Sequence, residues 1–261
     1  MPDSDEFERL AHSYRRELLA YCYRMLGSGD GSRDGVDLAV RLMERSLRYL
    51  LSTLDDVTEV DLRRSTPCTQ WDLGSLLHHL QDSMDALREG LNDGRIEPPA
   101  PADDPPAEGP STDNRAAVLG VRTRASGLLV VLATAAGEHR TPDREHRTPG
   151  REHRTPDRAG DRMLAIGDRV LATSTLALVG ALELTVHGWD VSWAGGVHRP
   201  IPVDLAADLL MVSPLVIPPG DRSPHFTAPV APAPASSAGD RLVAYLGRRP
   251  GRSEGPLSPR R

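Results

Sequence analysis

Length, composition and charge exclude several classes of protein. The chain has 261 residues, which is enough for one large domain or for about one and a half. Its formal net charge is −6 at pH 7. General nucleic-acid-binding proteins are usually basic, so this charge argues against one. The two cysteines are too few for a disulfide framework or for a cysteine-based zinc cluster.

The sequence also argues against a membrane or secreted protein. No apolar run reaches the ~20 uncharged residues that a membrane-spanning helix needs, and residues 170–189 come closest. The N-terminal residues are acidic, whereas a signal peptide begins with positive charge. We therefore expect a cytoplasmic protein without membrane or nucleic-acid partners.

The first predicted element is an amphipathic helix at residues 5–26, followed by a glycine-rich linker. Residues 7–28, FERLAHSYRRELLAYCYRMLGS, resemble the first helix of region 2 in extracytoplasmic-function sigma factors. The acidic helix that follows in that family, and that meets core polymerase and promoter, has no counterpart here. We interpret the segment either as a fused fragment unable to start transcription or as a plain amphipathic helix.

Four segments with apolar residues at helical spacing predict the long helices. They cover residues 36–54, 70–91, 116–136 and 176–190. Two shorter helices are predicted at residues 203–212 and 240–246, and residues 251–261 are predicted to form a disordered tail.

The segments around these helices carry their own signals. Thr69 and Asp72 have the spacing of a capping box, which predicts that the second helix begins at Gln70. Residues 92–114 are rich in proline and aspartate and too poor in apolar residues to pack. Residues 138–158 repeat a seven-residue unit that contains a histidine and a proline. Because these histidines cannot line one helix face, we interpret the repeat as a solvated loop and not as a metal-binding tract.

One charged residue lies inside the most apolar segment. Glu183 is the only charged side chain between Arg169 and Asp190, in a helix that is apolar nearly all round and therefore buried. A buried carboxylate is costly unless it is paired or binds a metal. His187 follows four residues later and so lies on the same helix face. Glu183 and His187 therefore predict half of a metal site.

A resemblance indicates the other half. Residues 66–80, TPCTQWDLGSLLHHL, look like the motif that opens the second helix of the mycothiol-dependent maleylpyruvate isomerase family, which belongs to the DinB-like metal-binding four-helix bundles. In that motif the metal-binding histidine lies eight residues after the tryptophan, which selects His79 and not His78. Residues 183–191 match the Glu-x-x-x-His-x-Trp-Asp signature of the same family.

The resemblance spans about residues 34 to 250, including a C-terminal tail found in many members. It implies an all-α fold, a DinB-like four-helix bundle with a small C-terminal helical extension. The chain then divides into a sigma-like helix and linker (1–33), a metal-binding bundle (34–198, with the repeat insertion 138–158), the extension (199–250) and the tail (251–261).

The resemblance assigns the metal-ligand roles to His79, Glu183 and His187. Two imidazoles and one carboxylate leave a fourth position open, as in a catalytic zinc site. Zinc is the first expectation, and nickel or iron fits the same ligands. Asp190 either orients a ligand or a bound water from behind or forms an ordinary salt bridge at the helix end.

Three further residues are interpreted as structural. Trp189 and Trp193 follow the metal motif and are expected to pack rather than to stack on a substrate. Cys68 lies in the turn before a helix and has no neighbouring base in the sequence, so we expect it not to act as a nucleophile.

The activity that the resemblance implies is mycothiol-dependent isomerisation or thiol transfer. In the family's isomerase, mycothiol adds to a cis double bond, the bond rotates, and the thiol leaves. A Lewis-acidic metal makes the thiolate available at neutral pH. We expect a divalent metal and mycothiol as cofactors and a small electrophile as substrate, with no catalytic or mycothiol-binding residue identified. The alternatives are a non-catalytic metal- or thiol-responsive regulatory protein and a decayed gene product.

Overall fold

The computed structural model describes residues 33–57, 62–68, 71–96, 113–138, 161–166, 169–217 and 227–251. Its helices are α1 (Arg33–Thr53), α2 (Leu73–Asp93), α3 (Asn114–Glu138), α4 (Thr173–Gly195), α5 (Val203–Val216) and α6 (Ala238–Tyr245), with a 3₁₀ helix (Leu54–Asp56) after α1. Three short strands, β1 (Arg95–Ile96), β2 (Met163–Ile166) and β3 (Arg169–Ala172), form one sheet. The described part of the chain is mostly helical, as expected, but the expectation of an all-α fold is wrong for this sheet.

Helices α1 and α4 run in the same direction, and their contacts are close. Thr185 of α4 donates a hydrogen bond to Ser46 of α1 at 2.8 Å. Further along both helices, a Cβ on Gly188 would lie 3.3 Å from the ring of Tyr49. Because Gly188 has no side chain, α1 and the middle of α4 approach at the level of the metal motif.

Helix α2 packs antiparallel to α4. A Cβ on Gly180 would lie 2.7 Å from Leu87 near the end of α2, whereas Glu183, one turn further along α4, contacts His79 near the start of α2. This arrangement brings the two sequence motifs, which are about a hundred residues apart, to one level of the helix pair.

Helix α3 covers α2 and α1 through ion pairs as well as apolar contacts. Arg124 donates to Asp85 at 2.7 Å, and Arg122 pairs with Asp55. Among the described residues, one helical stretch is long and apolar enough to cross a membrane, and it is Asn114–Thr134 of α3, one third of it buried. It differs from residues 170–189, which came closest in the sequence to the length that a membrane span needs, and a single stretch of this kind is compatible with a soluble protein.

The sheet joins the end of α2 to the start of α4. Strand β1 pairs parallel with β2, and β2 pairs antiparallel with β3. Ile96 of β1 is fully buried, so the prediction that residues 92–114 do not pack is wrong at their start. Asp161 accepts hydrogen bonds from Thr173 at 2.7 Å and from the backbone of Ser174 at 3.1 Å, and it thereby satisfies the first turn of α4.

The structure corrects the predicted start of α2. The helix begins at Leu73, because Asp72 itself has extended backbone angles and accepts a hydrogen bond from the Ser75 N–H at 2.8 Å. Thr69 and Gln70, on which the capping-box prediction rested, lie outside the described residues. The other three long helices are confirmed, although α4 begins at Thr173 and is preceded by a strand.

The two predicted C-terminal helices are also confirmed, as α5 and α6. They pack against each other, and the Tyr245 hydroxyl of α6 donates to the Ile217 carbonyl at 2.6 Å. Arg45 of α1 binds Asp204 at 2.8 Å and Asp208 at 2.7 Å and thereby attaches α5 to the helices that carry the motifs. The sigma-like helix, residues 139–160 around the repeat, and residues 252–261 lie outside the described residues.

Candidate metal centre

The candidate centre is formed by two buried helix faces. Helix α4 is apolar nearly all round and therefore packs on every side. Glu183 and His187 nevertheless lie inside it, and the exposed fractions of their residues are only 6% and 5%. His79 of α2 is completely buried, whereas 37% of the neighbouring His78 side chain is exposed. The structure thus brings together the three predicted ligands and leaves His78 at the surface.

The three side chains converge on one carboxylate. The Nε2–H of His79 donates to Oε1 of Glu183, and Nε2 of His187 lies 3.4 Å from the same oxygen. One ligand atom from each residue lies within 4.8 Å of the others. Two imidazoles and one carboxylate are also the donor set of many catalytic zinc sites. The group can therefore hold a divalent metal ion.

The charges in this cluster are coupled. Burial alone would raise the pKa of Glu183, but the charges of His187 and His79 outweigh that effect and hold the pKa well below its usual 4.5. Burial alone would likewise lower the pKa of His187, but the carboxylates of Glu183 and Asp190 raise it to about 9. In the metal-free protein at neutral pH, Glu183 is therefore ionised and His187 is protonated.

Asp190 holds His187 from the side opposite Glu183. Its Oδ2 accepts a hydrogen bond from Nδ1 of His187 at 3.0 Å, which directs Nε2 toward the centre. The same Oδ2 accepts from Nη2 of Arg248 at 2.9 Å. Asp190 thus contacts a candidate ligand and also forms a salt bridge, and that salt bridge is a buried one with a residue 58 positions away.

Arg248 connects the C-terminal extension to the centre. It is buried, although it follows α6 by only three residues. Its backbone N–H bonds to Val243 at 2.8 Å, and its Nη1 donates to the Leu246 carbonyl at 3.1 Å. These contacts fix the guanidinium against Asp190, and the pKa of Asp190 is lowered because this charge, with the help of His187, outweighs the effect of burial.

Trp71 forms one wall of the centre. The centroid of its ring lies 4.4 Å from that of His79 and 5.5 Å from that of His187. The two imidazoles are nearly perpendicular, with centroids 4.9 Å apart. The tryptophan of the sequence motif therefore excludes water from both histidines in addition to marking the position of one of them.

The opposite side of Glu183 meets a very small apolar cavity. Its volume is about 10 Å³, and it is bounded by α4, the end of α5 and the segment after α6. The lining residues besides Glu183 are aliphatic: Val179, Leu182, Val186, Val216, Ile217 and Leu246. A cavity of this size admits about one water molecule, so a larger ligand that enters here requires these elements to separate.

The remaining predicted residues lie near the centre without taking part in the cluster. Trp189 is half-buried against the hydrophobic core, and Trp193 contacts His198 with ring centroids 5.8 Å apart. Cys68 is half-buried in the turn before α2, where its carbonyl accepts from the Trp71 backbone at 2.9 Å. Cys68 also contributes to the electrostatic environment of Arg248, a relation that the sequence did not indicate.

Sequence reasoning missed two contributors to the centre. Arg248 is one of many arginines in an arginine-rich tail, and no local pattern distinguishes it from its exposed neighbours. In the sequence, Trp71 was used only as the reference position from which His79 was identified. Its position two residues before the helix that carries His79 was a signal that its ring packs on that histidine. No family model, curated protein or solved structure matches the chain.

Proposed function

We propose that the protein binds a divalent metal ion through His79, Glu183 and His187 and uses it to activate a thiol or a water molecule. The observation that carries the proposal is the convergence of these buried side chains from α2 and α4 on one point. Burying several ionisable groups together costs desolvation free energy, and a bound metal ion would offset this cost. A bound ion would supply Lewis acidity and lower the pKa of a thiol or water at its open position.

The motif resemblance supports a more specific proposal. We propose a DinB-like four-helix bundle formed by α1, α2, α3 and α4, and a mycothiol-dependent isomerase or thiol transferase acting on a small electrophile in the cytoplasm. Zinc is the first candidate metal, and nickel or iron is the alternative. This proposal rests on the two motifs, which lie on facing helices, and on their order in the chain.

The chain's own residues have distinct roles in this proposal. Asp190 keeps the proton on Nδ1 of His187, so that Nε2 is available as a ligand. Trp71 excludes water from two of the ligands. Arg248 neutralises Asp190 and thereby limits the cost of burying a second carboxylate beside Glu183.

One observation favours a second candidate, a metal- or thiol-responsive binding protein without turnover. The ligands are almost completely buried, and the cavity beside Glu183 has a volume of only about 10 Å³. A closed site of this kind suits metal retention, whereas a thiol conjugate that enters through this cavity would require α5 and the segment after α6 to move. Measurement of turnover distinguishes these two candidates.

The first experiment measures metal stoichiometry. Purified wild-type protein should contain about one equivalent of metal after expression with zinc or nickel. His79→Ala and Glu183→Ala should lose it, while the matched control His78→Ala should retain it because His78 points away from the cluster. A metal-free wild type, or equal metal in His79→Ala and His78→Ala, would contradict the proposed ligands.

The second experiment measures thiol-dependent turnover. Metal-loaded protein is incubated with mycothiol and a panel of electrophiles that includes a chlorodinitrobenzene-type acceptor and a cis-dicarboxylate alkene. The enzyme proposal predicts consumption that requires both mycothiol and metal and that is lost in Glu183→Ala. Stoichiometric metal without turnover on any member of the panel would favour the binding protein.

A further inference from the structure

A second concave site lies at the surface beside the C-terminal half of α1. It is a surface cleft of about 380 Å³ between the C-terminal half of α1 and the segment that joins α4 to α5. This volume is within the range of small-molecule sites. Its walls combine guanidinium and hydroxyl groups with prolines: Arg45, Arg48, Tyr49, Ser52, Arg199, Pro200, Pro202, Asp204 and Leu205. None of these residues belongs to the candidate metal centre.

The charge of the cleft is opposite to that of the chain. Three arginines and one aspartate line it, whereas the whole protein has a formal net charge of −6. Arg45 is held in place by two carboxylates of α5. Arg48 is 63% exposed, and Nη1 of Arg48 is 3.6 Å from the Glu44 carboxylate, beyond hydrogen-bonding distance. The guanidinium of Arg48 is therefore accessible to an anion in the cleft.

The loop that carries Arg199 is held in one conformation. His198, which precedes it, has a φ of 53°, a left-handed backbone conformation that is uncommon for a residue with a side chain. The Arg199 N–H donates to Ser192 Oγ at 2.6 Å, and the Arg199 carbonyl accepts from the Tyr49 hydroxyl at 2.9 Å. The backbone of Arg199 is thus anchored to α4 and α1, and strain of this kind is often found at binding sites.

We propose that this cleft binds a small anionic ligand through a carboxylate or phosphate group. The planar guanidinium matches both groups because it offers paired N–H donors at a fixed angle. Arg48 supplies an accessible charge, Arg199 lines the cleft on an anchored backbone, and Arg45 is fixed in the wall by its two ion pairs. Because Tyr49 forms the floor of the cleft and lies against Gly188 of α4, the site is adjacent to the metal centre but shares no residue with it.

The test is calorimetric titration of the full-length protein with inorganic phosphate and, separately, with succinate, at constant ionic strength. At least one anion should bind saturably to one site, and neutral succinamide should not bind. Arg48→Gln and Arg199→Gln should each weaken binding by about ten-fold, the typical loss for one charge-assisted hydrogen bond. The control Arg41→Gln removes an exposed arginine of α1 that does not line the cleft. The affinity of this variant for the anion should equal that of the wild type.

The outcomes separate the ligand classes and the two sites. Binding of phosphate alone assigns a phosphate-bearing ligand, and binding of succinate alone assigns a carboxylate. The proposal is overturned if neither anion saturates, or if Arg48→Gln and Arg199→Gln bind as well as Arg41→Gln. Metal content is measured in the same samples, and loss of metal in both cleft variants would refute a separate site. Arg48→Gln alters an exposed side chain, so it keeps the test valid should Arg199→Gln fail to fold.

Discussion

Metal binding should release a proton from His187 and therefore strengthen as the pH rises. In the metal-free protein, burial would lower the pKa of His187, but the carboxylates of Glu183 and Asp190 raise it to about 9. A metal ligand must be a neutral imidazole, so the ion competes with this proton. Below the pKa the competition weakens binding about ten-fold per pH unit. From pH 7 to pH 9 the apparent affinity should thus increase about 50-fold, or by about 2 kcal/mol, because half of the His187 imidazole is still protonated at its pKa of about 9.

The stability of the metal-free protein should change in the opposite direction. A histidine whose pKa is higher in the folded state stabilises that state fully below its unfolded pKa of 6.5, and this contribution is lost as the pH rises through about 9. Glu183 has a lowered pKa, so its contribution is present above its ordinary value of 4.5 and is lost only in stronger acid. The free energy of unfolding without metal should therefore decrease between pH 6.5 and pH 9.

Two measurements check this reasoning. Calorimetry of metal binding in buffers of different ionisation enthalpy counts the protons released, and NMR titration of the His187 ring gives its pKa directly. Glu183→Gln should lower that pKa because it removes the main charge that raises it, whereas Glu44→Gln, on the far face of α1, should leave it unchanged. Metal affinity that is independent of pH, or a His187 midpoint near 6.5 in the metal-free wild type, would refute the argument.

Two further predictions concern stability. Arg248→Ala should destabilise the protein by about 3–5 kcal/mol, because the one positive charge of His187 is then left to balance the two buried carboxylates Glu183 and Asp190. In a denaturation cycle, the double variant with Asp190→Ala should lose less stability than the sum of the single variants, and additive losses would show that Arg248 and Asp190 do not act as a pair. Gly127→Ala in α3 should stabilise by about 0.5–1 kcal/mol, since a Cβ there meets open space. Gly180→Ala in α4 should instead destabilise the protein, because the added Cβ would lie 2.7 Å from Leu87. Equal melting temperatures for the two glycine variants would contradict the packing described.

The parts of the centre that lie on one helix were predictable from local physics. Glu183 and His187 are four residues apart in an apolar helix, and both the spacing and the cost of a buried carboxylate can be read without a structure. His79 is different, because periodicity places it only slightly nearer the apolar stripe than His78 and does not decide between them. Its selection came from a motif, and the structure agrees through burial, since His79 faces α4 and His78 faces solvent.

The parts that depend on distant contacts were not predictable. Strand β1 has two residues, and the burial of Ile96 depends on β2, which lies beyond a long connection and the repeat. The observed start of α2 differs from the predicted one because Asp72 can be either the third residue of a capping box or the N-cap itself. In the folded protein Asp72 is the N-cap. Arg248 is buried because the segment after α6 lies against Asp190 of α4, a contact between residues 58 positions apart that no local pattern predicts.

The charges around the centre suggest what kind of molecule its fourth position would favour. Without metal, the ionised Glu183 and Asp190 are balanced by protonated His187 and by Arg248, so these four buried groups sum to zero. A divalent ion that displaces the proton of His187 replaces one positive charge by two. The cluster then has one excess positive charge in a region from which Trp71 excludes water, where such a charge is costly. An anion entering a metal-loaded centre would restore the balance, so under the proposed function the chain's own residues would favour a thiolate over a neutral thiol.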